Sequence, residues 1–143
     1  MKRSEALRSL SRDHHKALLV AQRLRRADNA AEAAVTFLEF WRAHGQRHFR
    51  IEEEVLLPCW ALLGDVDEHA ATQLSSEHLR IRSAAWAIES TRPSLGQLHE
   101  LGALLAAHVR FEERRLFALI EENLADEQLK SLARAVSEAE ALP

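Results

Sequence analysis

Tyrosine is missing from this 143-residue chain, and cysteine occurs once, at Cys59. The first absence excludes a tyrosyl radical carried by the chain. The second excludes an intrachain disulfide and any zinc site built on cysteines. The thiol follows Pro58 in an apolar run and is expected to be buried and inert. Only 4 Gly and 3 Pro interrupt the chain, and β-branched and aromatic residues (6% Phe, Trp and Tyr) are too sparse for a sheet. The longest near-apolar run, VLLPCWALLG, is too short to span a bilayer, and the N-terminal MKRSEALRSL has no signal-peptide core. These features lead to an expectation of a cytoplasmic protein. A net charge of −3 gives no electrostatic reason to expect nucleic acid or an anionic membrane as partner.

What is present is 47% apolar residues, rich in Ala and Leu, among much Glu and Arg, the composition of a helical protein. Apolar residues recur at helical spacing through Leu7, Leu10, Ala17, Leu18, Ala21 and Leu24, up to a polar turn at Asp28–Asn29. A second pattern runs through Val35, Leu38, Trp41, Ile51, Val55 and Leu56, and Pro58 is expected to end or kink it before Gly64–Asp65. A third, capped by Asp65 or Asp67, carries Leu74, Ile81, Ala85 and Ile88. After Arg92–Pro93, Ser94 is placed to cap a fourth that passes Leu98, Leu101, Leu104, Leu105, Phe111 and Leu119. A last amphipathic segment begins at Asp126. The expectation is an all-α, up-down-up-down antiparallel four-helix bundle with an additional short C-terminal helix. It forms a single domain over residues 1–143, the bundle over about 4–123 and the last helix over about 126–141. Trp41, Trp60 and Trp86 are expected to pack in the core or at the bundle ends.

Two stretches repeat in register, HFRIEEEVLL from residue 48 and HVRFEERRLF from residue 108. Each places a His and a Glu four residues apart, on one helix face. His14 and His78 also lie on apolar stripes, so each of the four long helices carries one inward His. In antiparallel neighbours, residues share a level when the turn lies midway between them. The midpoints of His14–His48, His48–His78 and His78–His108 are Ala31, Leu63 and Pro93, all beside the breaks already identified. Four histidines should therefore meet in one layer, with Glu52 and Glu112 one turn along. One lone His is ordinarily a hydrogen-bonded core residue, and one His-xxx-Glu pair is ordinarily a surface ion pair. Four histidines at one level with two carboxylates are hard to explain as packing, because buried carboxylates without cations are costly. Four imidazoles alone suit one zinc or copper, whereas two added carboxylates suggest two harder ions such as iron. Glu53, Glu54 and Glu113 are read as solvated or as supporting groups. His15 is read as a neighbour of the site, and His44, one turn before His48, as a further candidate. His69 and His99, near helix starts, are expected to face solvent.

The ordered series DHH at 13–15, HFRIEEEVLLP at 48–58, EHLRI at 77–81 and HVRFEERRLF at 108–117 resembles the hemerythrin-like, or HHE cation-binding, family over about residues 4–123. The resemblance implies two iron ions, oxo- or hydroxo-bridged when oxidised. It implies His14, His48, Glu52, His78, His108 and Glu112 as ligands, the two Glu bridging, with His44 and His15 as candidates for additional ligands. In two respects the chain departs from oxygen-carrying hemerythrins. The position four before His78 is Leu74 rather than His, and the last motif spaces His and Glu by four rather than His and Asp by five. A missing ligand implies an open position, or one filled by water, His44 or an outside anion.

The function expected is a non-enzymatic di-iron protein that binds O2 or NO as sensor or scavenger. Iron handling, by storage or by donation for iron–sulfur cluster repair, is the alternative. A di-iron peroxidase or oxidase is weakened by the lack of the ExxH motifs of ferritin-like oxidases. A metal-free or zinc-stabilised interaction bundle is the remaining reading. A protein partner is not legible.

Overall fold

The computed structural model describes residues 2–143 and contains no strand among them. Helix α1 spans Glu5–Arg25. A second rod runs without a break through α2 (Ala30–Phe40), a wide π turn (Trp41–Gly45), α3 (Gln46–Ile51), a second π turn (Glu52–Leu56) and α4 (Leu57–Leu63). Helix α5 (Glu68–Ser90) follows, then a rod made of α6 (Leu95–Phe111), a third π turn (Glu112–Leu116) and α7 (Phe117–Asn123). Helix α8 (Asp126–Glu140) packs across α1, α4 and the second π turn.

The starts are set by side chains that satisfy helix-end N–H groups. Asn29 Oδ1 accepts from Glu32 N–H at 3.0 Å, and Asp67 Oδ1 from Ala70 N–H at 2.9 Å. Ser94 and Gln97 exchange reciprocal bonds, a capping box, at 3.1 and 2.8 Å. The ends are tied together too: Trp60 Nε1 and Asp65 N–H both donate to Asn123 Oδ1, at 2.9 and 3.1 Å. His99, expected in solvent, is half-buried, with Nε2 2.8 Å from the Ala27 carbonyl oxygen at the end of α1. Helices α1 and α6 run in close contact because residue 102 is glycine. A Cβ there would lie 2.8 Å from the Ala21 carbonyl oxygen and 2.9 Å from Leu24 Cβ.

The three π turns have a common cause. Phe37, Trp41, Gly45 and Phe49 are all buried, as are His48, Glu52, Leu56 and Trp60, and His108, Glu112, Leu116 and Ile120. Each run repeats every four residues. In an α-helix four residues overshoot one turn by about 40°, so the last member would swing about 120° off the face. A π turn takes up the excess, and each of these runs contains one. Gln46, Leu57 and Phe117 N–H groups accordingly donate five residues back, to Trp41, Glu52 and Glu112 carbonyls. Pro58 does not end the second rod, as its sequence position suggests, but sits in the first turn of α4 directly after a π turn. Helix propagation there needs no proline N–H.

Two apolar clusters fill the interior. One gathers Phe37, Trp41, Phe49, Ile81, Leu98 and Leu105, and the other Leu7, Leu10, Trp60, Leu74, Phe117 and Leu132. Burying each such side chain contributes roughly 1.5–3 kcal/mol. Trp86, expected to pack, is instead 73% exposed, and Val35 is also exposed. Both lie on helical periodicity but outside the stripe that the inward His defines. Cys59 is only partly buried.

Candidate metal centre

Between the two clusters lies a polar layer in which the only buried polar or charged residues reported for the described chain come together. These are His14, His48, Glu52, His78, His108 and Glu112, none more than 6% exposed and both Glu at 0%. The His14 and His48 ring centres are 4.9 Å apart, and those of His78 and His108 4.8 Å apart. His15 is exposed and takes no part. His44 is half-buried and stands outside the cluster. Leu74 is fully buried in the second apolar cluster, so the position four before His78 offers hydrocarbon and no donor atom.

Glu52 and Glu112 sit between the two histidine pairs. His48 Nε2 is 3.2 Å from Glu52 Oε2 and 3.6 Å from Glu112 Oε1, while His78 Nε2 is 3.2 Å from Glu52 Oε1 and 3.6 Å from Glu112 Oε2. His108 Nε2 lies 3.0 Å from Glu112 Oε2, and His14 Nε2 2.7 Å from Glu112 Oε1. Two groups of ligand atoms result, His14–His48–Glu52–Glu112 and His78–His108–Glu52–Glu112, each within 4.8 Å. The two carboxylates belong to both.

The fit to cations can be tested on the polar atoms themselves. His48, His78 and His108 Nε2, both Glu52 oxygens and Glu112 Oε2 are buried and find no hydrogen-bond partner. Such atoms are costly in a native interior. Two ligand atoms each about 2.1 Å from an octahedral ion stand about 3 Å apart, close to the shorter separations seen here. Nitrogen and carboxylate oxygen are a donor set that suits iron, zinc or manganese. The residues fit bound cations.

Electrostatics agree. Burial alone would lower each imidazole pKa, but the carboxylates outweigh it. Glu112 and Glu113 hold His14 at about 9, and Glu112 with Glu52 hold His78 at about 9. Glu112 and Glu77 hold His108 at about 10, and Glu52, Asp13 and Glu112 hold His48 well above its ordinary value. Glu112, despite burial, is held well below the carboxylate range by His108, His14 and His48. Without a cation, protons on the rings stabilise the two buried carboxylates, and a bound cation would displace them.

The outward nitrogens form a second pattern that sequence reading missed. His14 Nδ1 meets Glu113 Oε2 at 2.7 Å, His48 Nδ1 meets Asp13 Oδ2 at 3.2 Å, His78 Nδ1 meets Glu53 Oε2 at 2.6 Å, and His108 Nδ1 meets Glu77 Oε1 at 2.7 Å. Each carboxylate is the sequence neighbour of an inward residue on its own helix, yet it reaches the His of the next helix. Asp13 on α1 serves the second rod, Glu53 there serves α5, Glu77 on α5 serves α6, and Glu113 after α6 serves α1. The ring closes on itself. It fixes every tautomer, Nδ1–H outward and Nε2 inward, which is how metal-binding imidazoles are oriented. The signal in the sequence was an acidic residue beside each inward residue: Asp13–His14, Glu52–Glu53, Glu77–His78 and Glu112–Glu113.

A cavity of about 20 Å³ lies against His14, His48 and His108. Ala17, Phe40, Phe49, Leu105 and Val109 wall it, with His44 also in the lining. It has room for one molecule about the size of water. The other side is closed: Phe49 lies flat on His78, ring centres 3.7 Å apart and planes within 4°.

A model of the family described as Hemerythrin HHE cation binding domain matches residues 5–120 of the chain. No curated protein and no solved structure matches it. Among the described residues no helix is long and apolar enough to cross a membrane.

Proposed function

The chain belongs to the hemerythrin HHE cation-binding family, and from that premise we propose that it is a single-domain, up-down-up-down four-helix bundle that holds two iron ions and binds O2 or NO as sensor or scavenger. His14 and His48 would hold one ion, His78 and His108 the other, and Glu52 and Glu112 would bridge them. Bound iron would supply a redox-active pair with coordination positions left open for a diatomic ligand. The remaining contributions come from the chain. Asp13, Glu53, Glu77 and Glu113 hold the rings with Nε2 inward. Both apolar clusters exclude water from the layer, and packed Leu74 adds no further donor.

The observation that carries this reading is the cavity of about 20 Å³ against His14 and His48. Its apolar walls suit a small uncharged gas better than a charged or extended substrate. The burial of all six residues favours retention of the ions over their donation to other proteins. The test is anaerobic reduction of iron-loaded protein followed by titration with O2 and NO, with iron counted before and after. Reversible spectral change at a constant two irons per chain is expected. Titrations without any spectral change would sink the gas-binding reading.

A further inference from the structure

The ring of outward carboxylates is not uniform in charge. Glu53 accepts from Arg82 at 2.9 Å. Glu113 has Arg3 beside it, with one guanidinium nitrogen 3.9 Å from its Oε1 and donating to its backbone carbonyl at 2.7 Å. Asp13 and Glu77 have no Lys or Arg within ion-pair distance among the described residues. Lys16 and His44 act on Asp13 only at longer range, and Glu77 receives a neutral bond from Gln73 at 3.1 Å. Each histidine pair therefore has one carboxylate matched by arginine and one unmatched: Glu113 and Asp13 behind His14 and His48, Glu53 and Glu77 behind His78 and His108.

We infer that Asp13 and Glu77 set the charge balance of the bound pair and favour its trivalent state, while Arg3 and Arg82 mute the contribution of Glu113 and Glu53. This rests on the di-iron reading above. The physical basis is Coulomb attraction transmitted through short Nδ1–H···carboxylate bonds, with no solvent between ring and carboxylate to screen it. Negative charge beside an imidazole makes it a stronger donor and favours the more highly charged ion. Arginine works against this where it is held. When Glu53 loses its charge, Arg82 is free to swing into solvent, since a third of its side chain is already exposed. The two charges then leave together and the net change is small. Asp13 and Glu77 have no such partner, so their loss is uncompensated. They are positioning residues, acting on the ions only through His48 and His108.

The test is a reductive titration of iron-loaded wild type, D13N, E77Q, E53Q and R82Q, with iron counted in each. An amide keeps an acceptor for Nδ1–H and removes only the charge, so ring orientation survives. D13N and E77Q are each expected to weaken the ferric state about tenfold relative to the ferrous, a rise in potential of about 59 mV for a one-electron couple. E53Q should move it by a factor of about three or less, on the same scale. R82Q should move it the opposite way, downward, because Glu53 keeps its charge and loses its counterion. R82Q also keeps the inference testable if an amide variant loads iron poorly, since Arg82 touches no inward residue. A merely structural ring would give shifts of one sign or none. Wild-type potentials in D13N and E77Q at full iron content, or an upward shift in R82Q, would overturn the inference and leave the di-iron reading standing. Wild type without iron would overturn both.

Discussion

The two halves of the polar layer use the same parts and differ in what stands behind them. His78 is pressed against Phe49, ring centres 3.7 Å apart, and that half has no space beside it. His14 stacks on Phe117 at a looser 5.4 Å, and its half borders the cavity. The outward bonds follow the same division in part. His48–Asp13 is 3.2 Å, whereas the other three lie between 2.6 and 2.7 Å. One half is built as an anchor and the other as a place where something small can enter. Identical donor atoms thus do not imply identical roles, because packing decides which coordination positions a ligand can reach.

The largest effect comes from breaking both halves together. Glu112→Ala removes a carboxylate common to both ligand groups. Metal analysis should show loss of both ions. Denaturant unfolding of the metal-free chain should show a loss of about 3 kcal/mol, because buried imidazolium groups lose their counter-charge. A variant retaining both ions would refute the shared role. Breaking one half is next. His78→Ala should leave one ion, and metal-free stability should fall by about 2–3 kcal/mol through the lost stack on Phe49. His14→Ala should also leave one ion but cost less stability. Equal losses in the two variants would erase the distinction between anchor and entry.

Filling the cavity sharpens the comparison without touching the ligands. Ala17→Leu should slow gas binding about tenfold at unchanged iron content, with an overpacking cost of about 1–3 kcal/mol. Stopped-flow mixing checks the rate and metal analysis the content. Unchanged binding would place the entry elsewhere. The smallest effect is one the halves share. His14, His78 and His108 have pKa values raised to about 9, 9 and 10 in the metal-free chain, against about 6.5 unfolded. Folding therefore takes up protons above pH 6.5. This stabilisation is fully present below that value and is lost as pH rises through 9–10. Thermal melts of metal-free protein should fall across this range, and those of loaded protein should fall less.

Much of this was legible before any coordinates. The helices and their breaks follow from periodicity and capping residues, and the meeting of four histidines follows from turns placed midway between them. The carboxylate ring was half legible. Glu53 and Glu113 stand out in the repeated stretches, but Asp13 and Glu77 point about 100° away from the inward residue beside them. On a single helix that reads as a solvated face. Only the neighbouring helix supplies the imidazole that gives each its place. Trp86 shows the reverse limit, since an apolar residue at helical spacing need not be on the stripe the core uses. His44 and Leu74 were open questions for the same reason: which residue fills a gap is decided by packing between rods.

The π turns carry a consequence at the level of insertion and deletion. Each holds one residue more than an α turn, and the extra residue is what keeps Leu116 and Ile120 in phase with His108 and Glu112. Deleting one residue from Glu112–Leu116 would let an unbroken α-helix form, with better hydrogen bonds than before. Everything beyond it would turn by about 100°. Asn123 would lose Trp60, and Phe117 would leave His14. A change that improves the helix as a helix would dismantle the centre. The chain length of these two rods is therefore as much a part of the site as its histidines are.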